Sequence, residues 1–132
     1  MTSLIGAVDM ALYNALAAAP VHTFVGGRVY AVNAPPESPL PYAVFAFVRG
    51  GERRSASRSA RLLYKLAVYA TDHGTVRTGA GLIDAALAAG INVMGWQTYH
   101  LAPVNLIYGL ESAGDVPIYF AGALYAIQLC AS

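Results

Sequence analysis

Between Arg61 and Tyr69 the chain alternates in a way that leaves a strand without a polar face. Leu63, Lys65, Ala67 and Tyr69 fall on one side, and Leu62, Tyr64, Leu66 and Val68 on the other. Both faces are largely apolar, so any sheet built on this strand has to be covered twice. A helix can cover one face and a neighbouring subunit the other. The rest of the chain sharpens the demand: 57% of its residues are apolar and 11% are charged, against roughly 25% charged in an ordinary globular domain. A monomer with so few charges would leave much apolar surface in water, which favours an oligomer or a component of an assembly.

No run of residues approaches the about 18 uninterrupted apolar positions of a membrane-spanning helix. The most apolar segment, Val116 to Cys130, is broken by Pro117 and Gln128. The N-terminus has no basic region ahead of its apolar residues, so neither a signal peptide nor a membrane partner is expected. Cys130 is the single cysteine and cannot form an internal disulfide. It reads as a packing residue in a protein synthesised in the cytosol. At 132 residues the chain suits one domain, residues 1–132, with a core of its own.

Along the sequence, Ser3 caps a helix whose Ile5, Val8, Leu12 and Leu16 form one face and which Pro20 closes, with Asp9 turned outward. The pair Gly26-Gly27 allows a tight turn before a short strand, residues 28–32. Four prolines stiffen the loop 33–41. Strands follow at Tyr42–Val48 and Arg61–Tyr69, joined by a Gly/Ser/Arg-rich hairpin whose tip extends past the core. A second helix is predicted over Thr75–Ala89, weakened by Gly79 and Gly81 and ended by Gly90. Strands at Asn105–Leu110 and Pro117–Leu129 flank a turn at residues 112–115, with a bend or bulge near Gly122. Residues 91–104 are left open between strand and loop. The order of elements predicts an α+β fold, a mostly antiparallel sheet with two helices on one face and a projecting β-hairpin.

Nothing in this pattern points to catalysis, a cofactor or a metal. His22, His73 and His100 are scattered and share no Cys, Asp or Glu in ligand spacing. Asp9, Glu37, Glu52, Asp84 and Asp115 read as solvated side chains, Glu111 as a possible partner in an intersubunit pair, and Cys130 has no basic activator. Charge is segregated instead. Residues 1–48 hold one basic residue against two acidic, residues 49–77 seven against two, and residues 78–132 none against three. The net charge of +1 is too small to prescribe a nucleic-acid partner at long range. The arginines of the hairpin, Arg49, Arg53, Arg54, Arg58 and Arg61, therefore have three readings: solubilisation, docking on an acidic protein surface, or contact with phosphates. Docking on protein is preferred to sequence-specific DNA recognition because no recognition helix accompanies them. Tyr64 and Tyr69 lie on opposite strand faces and so do not make one base-stacking platform.

The stretches Val25-Gly26-Gly27-Arg28-Val29-Tyr30, Ala34-Pro35-Pro36 and Leu40-Pro41-Tyr42-Ala43-Val44-Phe45, following an alanine-rich helix, resemble the start of tail-completion, or tail-terminator, proteins of long-tailed bacteriophages. The order of the later elements extends the resemblance over almost the whole chain. It implies a non-enzymatic ring protein, usually a hexamer, at the head-proximal end of the tail tube. There it would stop tube polymerisation and meet a head-completion or connector protein around the channel used by viral DNA. Gly26, Gly27, Arg28, Tyr30, Pro41 and Tyr42 match the family-like pattern and, with Tyr64 and Tyr69, are expected in structural or subunit-interface roles. The low charge and apolar closing region depart from that pattern and leave a head-side stopper or connector of the neck as the alternative.

Overall fold

The computed structural model of the chain describes residues 3–54, 58–113 and 116–131. The hairpin tip at Ser55, Ala56 and Ser57 and the turn residues Gly114 and Asp115 lie outside them. In chain order the elements are α1 (Leu4–Leu16), α2 (Val21–Val25), β1 (Val29–Ala31), β2 (Tyr42–Arg54), β3 (Arg58–Ala70), α3 (His73–Ala88), β4 (Trp96–Ala113) and β5 (Val116–Ala131). The strands form one sheet in the order β1-β2-β3-β5-β4. Only the β1–β2 pair is parallel, so the α+β, mostly antiparallel expectation holds. None of the helices is long and apolar enough to cross a membrane.

Three helices replace the expected two. The additional α2 is a single turn between Pro20 and Gly26, too short to leave a periodic pattern. Gly26 ends it in the left-handed region at φ 63°, its N–H bonded to the carbonyls of His22 and Thr23, and Gly27 continues at φ 76°. Two successive residues with positive φ are what the glycine pair supplies before β1. The other two helices start on side-chain caps: Ser3 Oγ accepts from the Gly6 N–H at 3.0 Å, and Asp72 Oδ1 from the Thr75 N–H at 2.8 Å. These caps satisfy donors that the first helical turn leaves unpaired.

The helices cover one face of the sheet. Val8, Leu12 and Leu16 of α1, Val21 and Val25 of α2, and Ile83 and Leu87 of α3 share a core with Leu62, Tyr64, Leu66 and Val68 of β3 and Ile127 and Leu129 of β5. β3 is the middle strand, and the alternation read from its sequence is the one observed: Leu63, Ala67 and Tyr69 of the opposite set are also buried. Ile5, assigned to the buried face of α1, is exposed at its rim.

The hairpin β2–β3 is longer and more integrated than expected. β5 accompanies β3 as far as the Ser59–Cys130 pair, so only the Arg54–Arg58 pair lies beyond it. The open segment 91–104 resolves into a short connection, bridged between Val93 and Trp96, followed by the first half of β4. Irregular register there, at Thr98/His100 and Pro103/Asn105, explains why no clean alternation marks it. The bulge expected as one form of irregularity at Gly122 is not observed. Gly122 pairs in unbroken register with Ala67 and Ile107, and a β-carbon there would overlap the Leu66 carbonyl oxygen. Its absence allows close approach of β3 and β5.

The two glycines of α3 have different origins. A β-carbon on Gly79 would stand 2.8 Å from a Val68 methyl and 3.0 Å from the Phe24 ring, whereas one on Gly81 meets nothing within 4 Å. Gly81→Ala should therefore stabilise the fold by about 0.5–1 kcal/mol through helix propensity alone. Gly79→Ala should forfeit that gain by displacing Val68. Urea denaturation of the two variants checks the opposition.

Candidate assembly surfaces

The family-like residues converge on the junction of β1 and β2. Arg28 Nε donates to the Pro41 carbonyl at 3.0 Å, fastening the turn after α2 to the end of the proline loop. The Tyr30 hydroxyl lies 2.8 Å from Ser38 Oγ, holding the middle of that loop. The Ala43 N–H donates to the Arg28 carbonyl at 2.9 Å, so Arg28 is bound through both backbone and side chain. The prolines limit what the loop can do when free, and these contacts fix what remains.

From this junction an aromatic row crosses the face opposite the helices. Tyr30 meets Tyr42 edge-on with ring centres 5.8 Å apart, Tyr42 stacks on Tyr69 at 5.2 Å, and Tyr69 leans on Phe120 at 5.5 Å. Phe120 in turn lies over Gly109 of β4, where a β-carbon would stand 2.5 Å from the ring. The row thus touches all five strands. Lys65 Nζ donates to the Tyr69 hydroxyl at 2.8 Å and sits over the rings of Tyr69 and Phe120, a cation–π arrangement on a half-buried apolar surface. Burial, followed by the influence of Tyr69, Glu111 and Tyr30, raises the Tyr42 phenol above its ordinary pKa. Phe120 and Lys65 were not singled out from the sequence. Gly109 inside a strand was the available signal, since such a glycine often marks close approach of another group.

Tyr64 belongs to the other face and is wholly buried. Its hydroxyl donates to Asp9 Oδ1 at 2.7 Å, and Tyr125 makes the equivalent link to Asp84 Oδ1 at 3.0 Å. Asp9 and Asp84, expected to be simply solvated, instead tie α1 and α3 to the sheet. The isolated sequence hides this because both carboxylates sit at helix positions that look outward until a long phenol reaches them.

The arginines do not gather on one face. Arg49 and Arg61 occupy register positions on the aromatic-row face and are exposed. Arg58 occupies the helix-covered face, where its guanidinium pairs with Glu52 and lies 5.1 Å from the centre of the Trp96 ring. Arg53 and Arg54 are placed by backbone register opposite Ser59 and Arg58. The histidines are also separate. His73 opens α3 and stacks against Tyr119 and Tyr108, His22 lies on α2 and His100 on β4. Among the described residues, no three His, Cys, Asp or Glu side chains form a group able to hold a metal ion.

A run of exposed apolar side chains on β4 was not anticipated as such. Val104, Leu106, Tyr108 and Leu110 follow one another at alternate positions of β4, an edge strand, and Leu106 is 84% exposed. The sheet therefore presents an aromatic row on one face and an exposed apolar row along one margin. This combination is that of a subunit that gives its surfaces to other protein chains.

The comparisons agree with that class. The sequence pattern of the family described as tail completion protein gp17 matches residues 10–93. The chain belongs to this family and is a structural component of a bacteriophage tail. In three dimensions it is similar to a chain from the virion of a native gene transfer agent particle, with a TM-score of 0.74 and 18% sequence identity, covering 98% of this chain and 99% of that one. The likeness shows that the two share a fold. Among proteins with curated functional descriptions, none matches this sequence.

Burial, reinforced by the hydrogen bonds to Asp9 and Asp84, raises the pKa of the Tyr64 and Tyr125 phenols well above the ordinary 10.0. The unfolded chain then loses these protons near pH 10 while the folded chain retains them. Their contribution to stability is complete below pH 10 and declines as pH rises beyond it. The melting temperature should fall between pH 9 and 11, less steeply in Tyr64→Phe, although that variant starts from lower stability at neutral pH. Thermal scans across this range check both effects.

Proposed function

We propose that copies of this chain close into a ring, hexameric by its resemblance to tail terminators, at the head-proximal end of the tail tube. The ring stops tube growth and provides the surface to which a head-completion or connector protein attaches, with the DNA channel through its centre. The observation that carries the reading is the exposed apolar row on the edge strand of a tail completion protein. A protein isolated in solution gains nothing from Val104, Leu106 and Leu110 in water, whereas a ring covers the margins of every copy. The role is structural and non-enzymatic: one ring face complements the last tube ring, and the other refuses a further tube subunit.

Electron microscopy of particles assembled without this protein tests the reading. Overlong or unjoined tails are expected. Tails of normal length attached to heads that leak DNA would overturn termination and favour a head-side stopper.

Within this role the hairpin arginines Arg49, Arg53, Arg54, Arg58 and Arg61 dock on tube or connector protein. Arg58 already has an intramolecular partner, so the exposed Arg49 and Arg61 carry more of the docking. Replacing Arg49 and Arg61 together with Gln should leave the fold intact and reduce the yield of joined particles several-fold, while Arg58→Gln has the smaller effect. Particle counts and circular dichroism read the two outcomes. Unchanged assembly with impaired DNA release would instead turn these side chains toward the channel.

A further inference from the structure

The sheet has two open margins, and they differ in chemistry. β4 forms one margin: among the described residues it pairs with β5 and, apart from the Val93–Trp96 bridge at its start, with no other segment. At the other, β1 covers β2 only at Ala43, Val44 and Phe45. From Ala46 to Arg54, β2 has β3 on one side and, among the described residues, no strand on the other. Long uncovered margins of this kind are templates for pairing with another chain. β4 has Pro103 and two irregularities in its first half, but from Asn105 to Ala113 its register with β5 is regular and it holds no Lys or Arg, residues that commonly protect edges.

We infer that the β4 margin of one copy pairs with the β1–β2 margin of the next, head to tail, so that neighbouring sheets join across the subunit boundary; this rests on the ring reading and assigns its contact. Three observations support the assignment. The first is apolar complementarity. Val104, Leu106, Tyr108 and Leu110 stand exposed beside one margin, and Val32 and Val48 beside the other. Val32 is held at φ 69°, a left-handed conformation that is costly for a β-branched residue, with its side chain 64% exposed. Strain of this kind persists where the surrounding structure imposes it and clusters at sites of function.

The second is charge. The residues from 78 onward, which include β4 and β5, hold no base and three acids, while residues 49–77 hold seven bases and two acids. Head-to-tail contact brings β4, whose own charged residue is Glu111 and over whose Trp96 and Tyr108 rings Arg58 and Arg77 lie, toward a β2 margin that carries Arg49, Arg53 and Arg54.

The third is strand sense. Successive antiparallel pairing makes β4 run opposite to β2 and β1. Rotation about a ring axis preserves the sense of every strand along that axis, so with the strands running along it β4 meets the next copy's margin antiparallel. Only this arrangement uses both open margins of every copy. A two-fold pair leaves each β2 margin bare.

Cross-linking in assembled particles tests the contact. In a chain carrying Cys130→Ser, Leu106→Cys is combined either with Val32→Cys or with Val48→Cys, which brackets the unknown stagger between margins. Particles are treated with a flexible bis-maleimide and resolved on a denaturing gel. At least one pair should give a ladder of covalent multimers ending at the ring number, while each single-cysteine chain remains monomeric. Dimers from Leu106→Cys alone would overturn the proposal in favour of two-fold pairing. Cross-links only to another tail protein, or no ladder from either pair, would also overturn it. Symmetry seen by electron microscopy in the same particles keeps the two claims apart: a ring without a ladder removes the contact and leaves the ring, whereas a single copy per particle removes both.

Discussion

Double burial of β3 is the constraint from which the rest of the structure follows. A central strand with apolar side chains on both faces needs cover from two directions. α1, α2 and α3 provide it on the side of Leu62, Tyr64, Leu66 and Val68, while the aromatic row and the proline loop contribute on the side of Leu63, Ala67 and Tyr69. Fully burying one such side chain contributes roughly 1.5–3 kcal/mol, so losing either cover would remove a large part of a typical domain stability of about 5–15 kcal/mol. The helices are secured at polar points within this apolar contact: Asp9 and Asp84 each accept a phenol from the strand beneath. Such bonds are worth more than neutral ones because the acceptor carries charge.

The second cover is thinner and leaves its own mark. The absence of a side chain at Gly109 makes room for the Phe120 ring, on which Tyr69 leans, so the opposite face is packed by rings that meet one another across the strands. The face they form is edged by the exposed apolar row of β4. It suits contact with another protein surface, in keeping with the family to which the chain belongs.

Much of this was legible in the sequence where a single period governs a segment. The two-residue alternation of β3, the three- and four-residue spacing of α1 and the turn chemistry of Gly26-Gly27 each appear in the structure. What escaped depends on partners distant along the chain. Asp9 looks solvated unless Tyr64, 55 residues away, is known to reach it. The first half of β4 lacks alternation because its register shifts twice. α2 has one turn and therefore no period. The arginine cluster is dense in sequence, yet strand alternation places Arg58 on one side of the sheet and Arg49 and Arg61 on the other. Sequence density measured how many charges were present but not how many faced the same way.

Lys65 is the chain's single lysine, and its amine rests on the aromatic row with the Tyr69 hydroxyl as hydrogen-bond partner. Apart from the N-terminus, the whole amine reactivity of the protein is therefore concentrated at the middle of the sheet's helix-free face. An acylating reagent must displace that hydrogen bond and the two rings below it, and a subunit or tail protein lying across the row would shut the reagent out altogether. The chain thus contains a natural one-point footprint for that face, readable in intact virions without introducing a label.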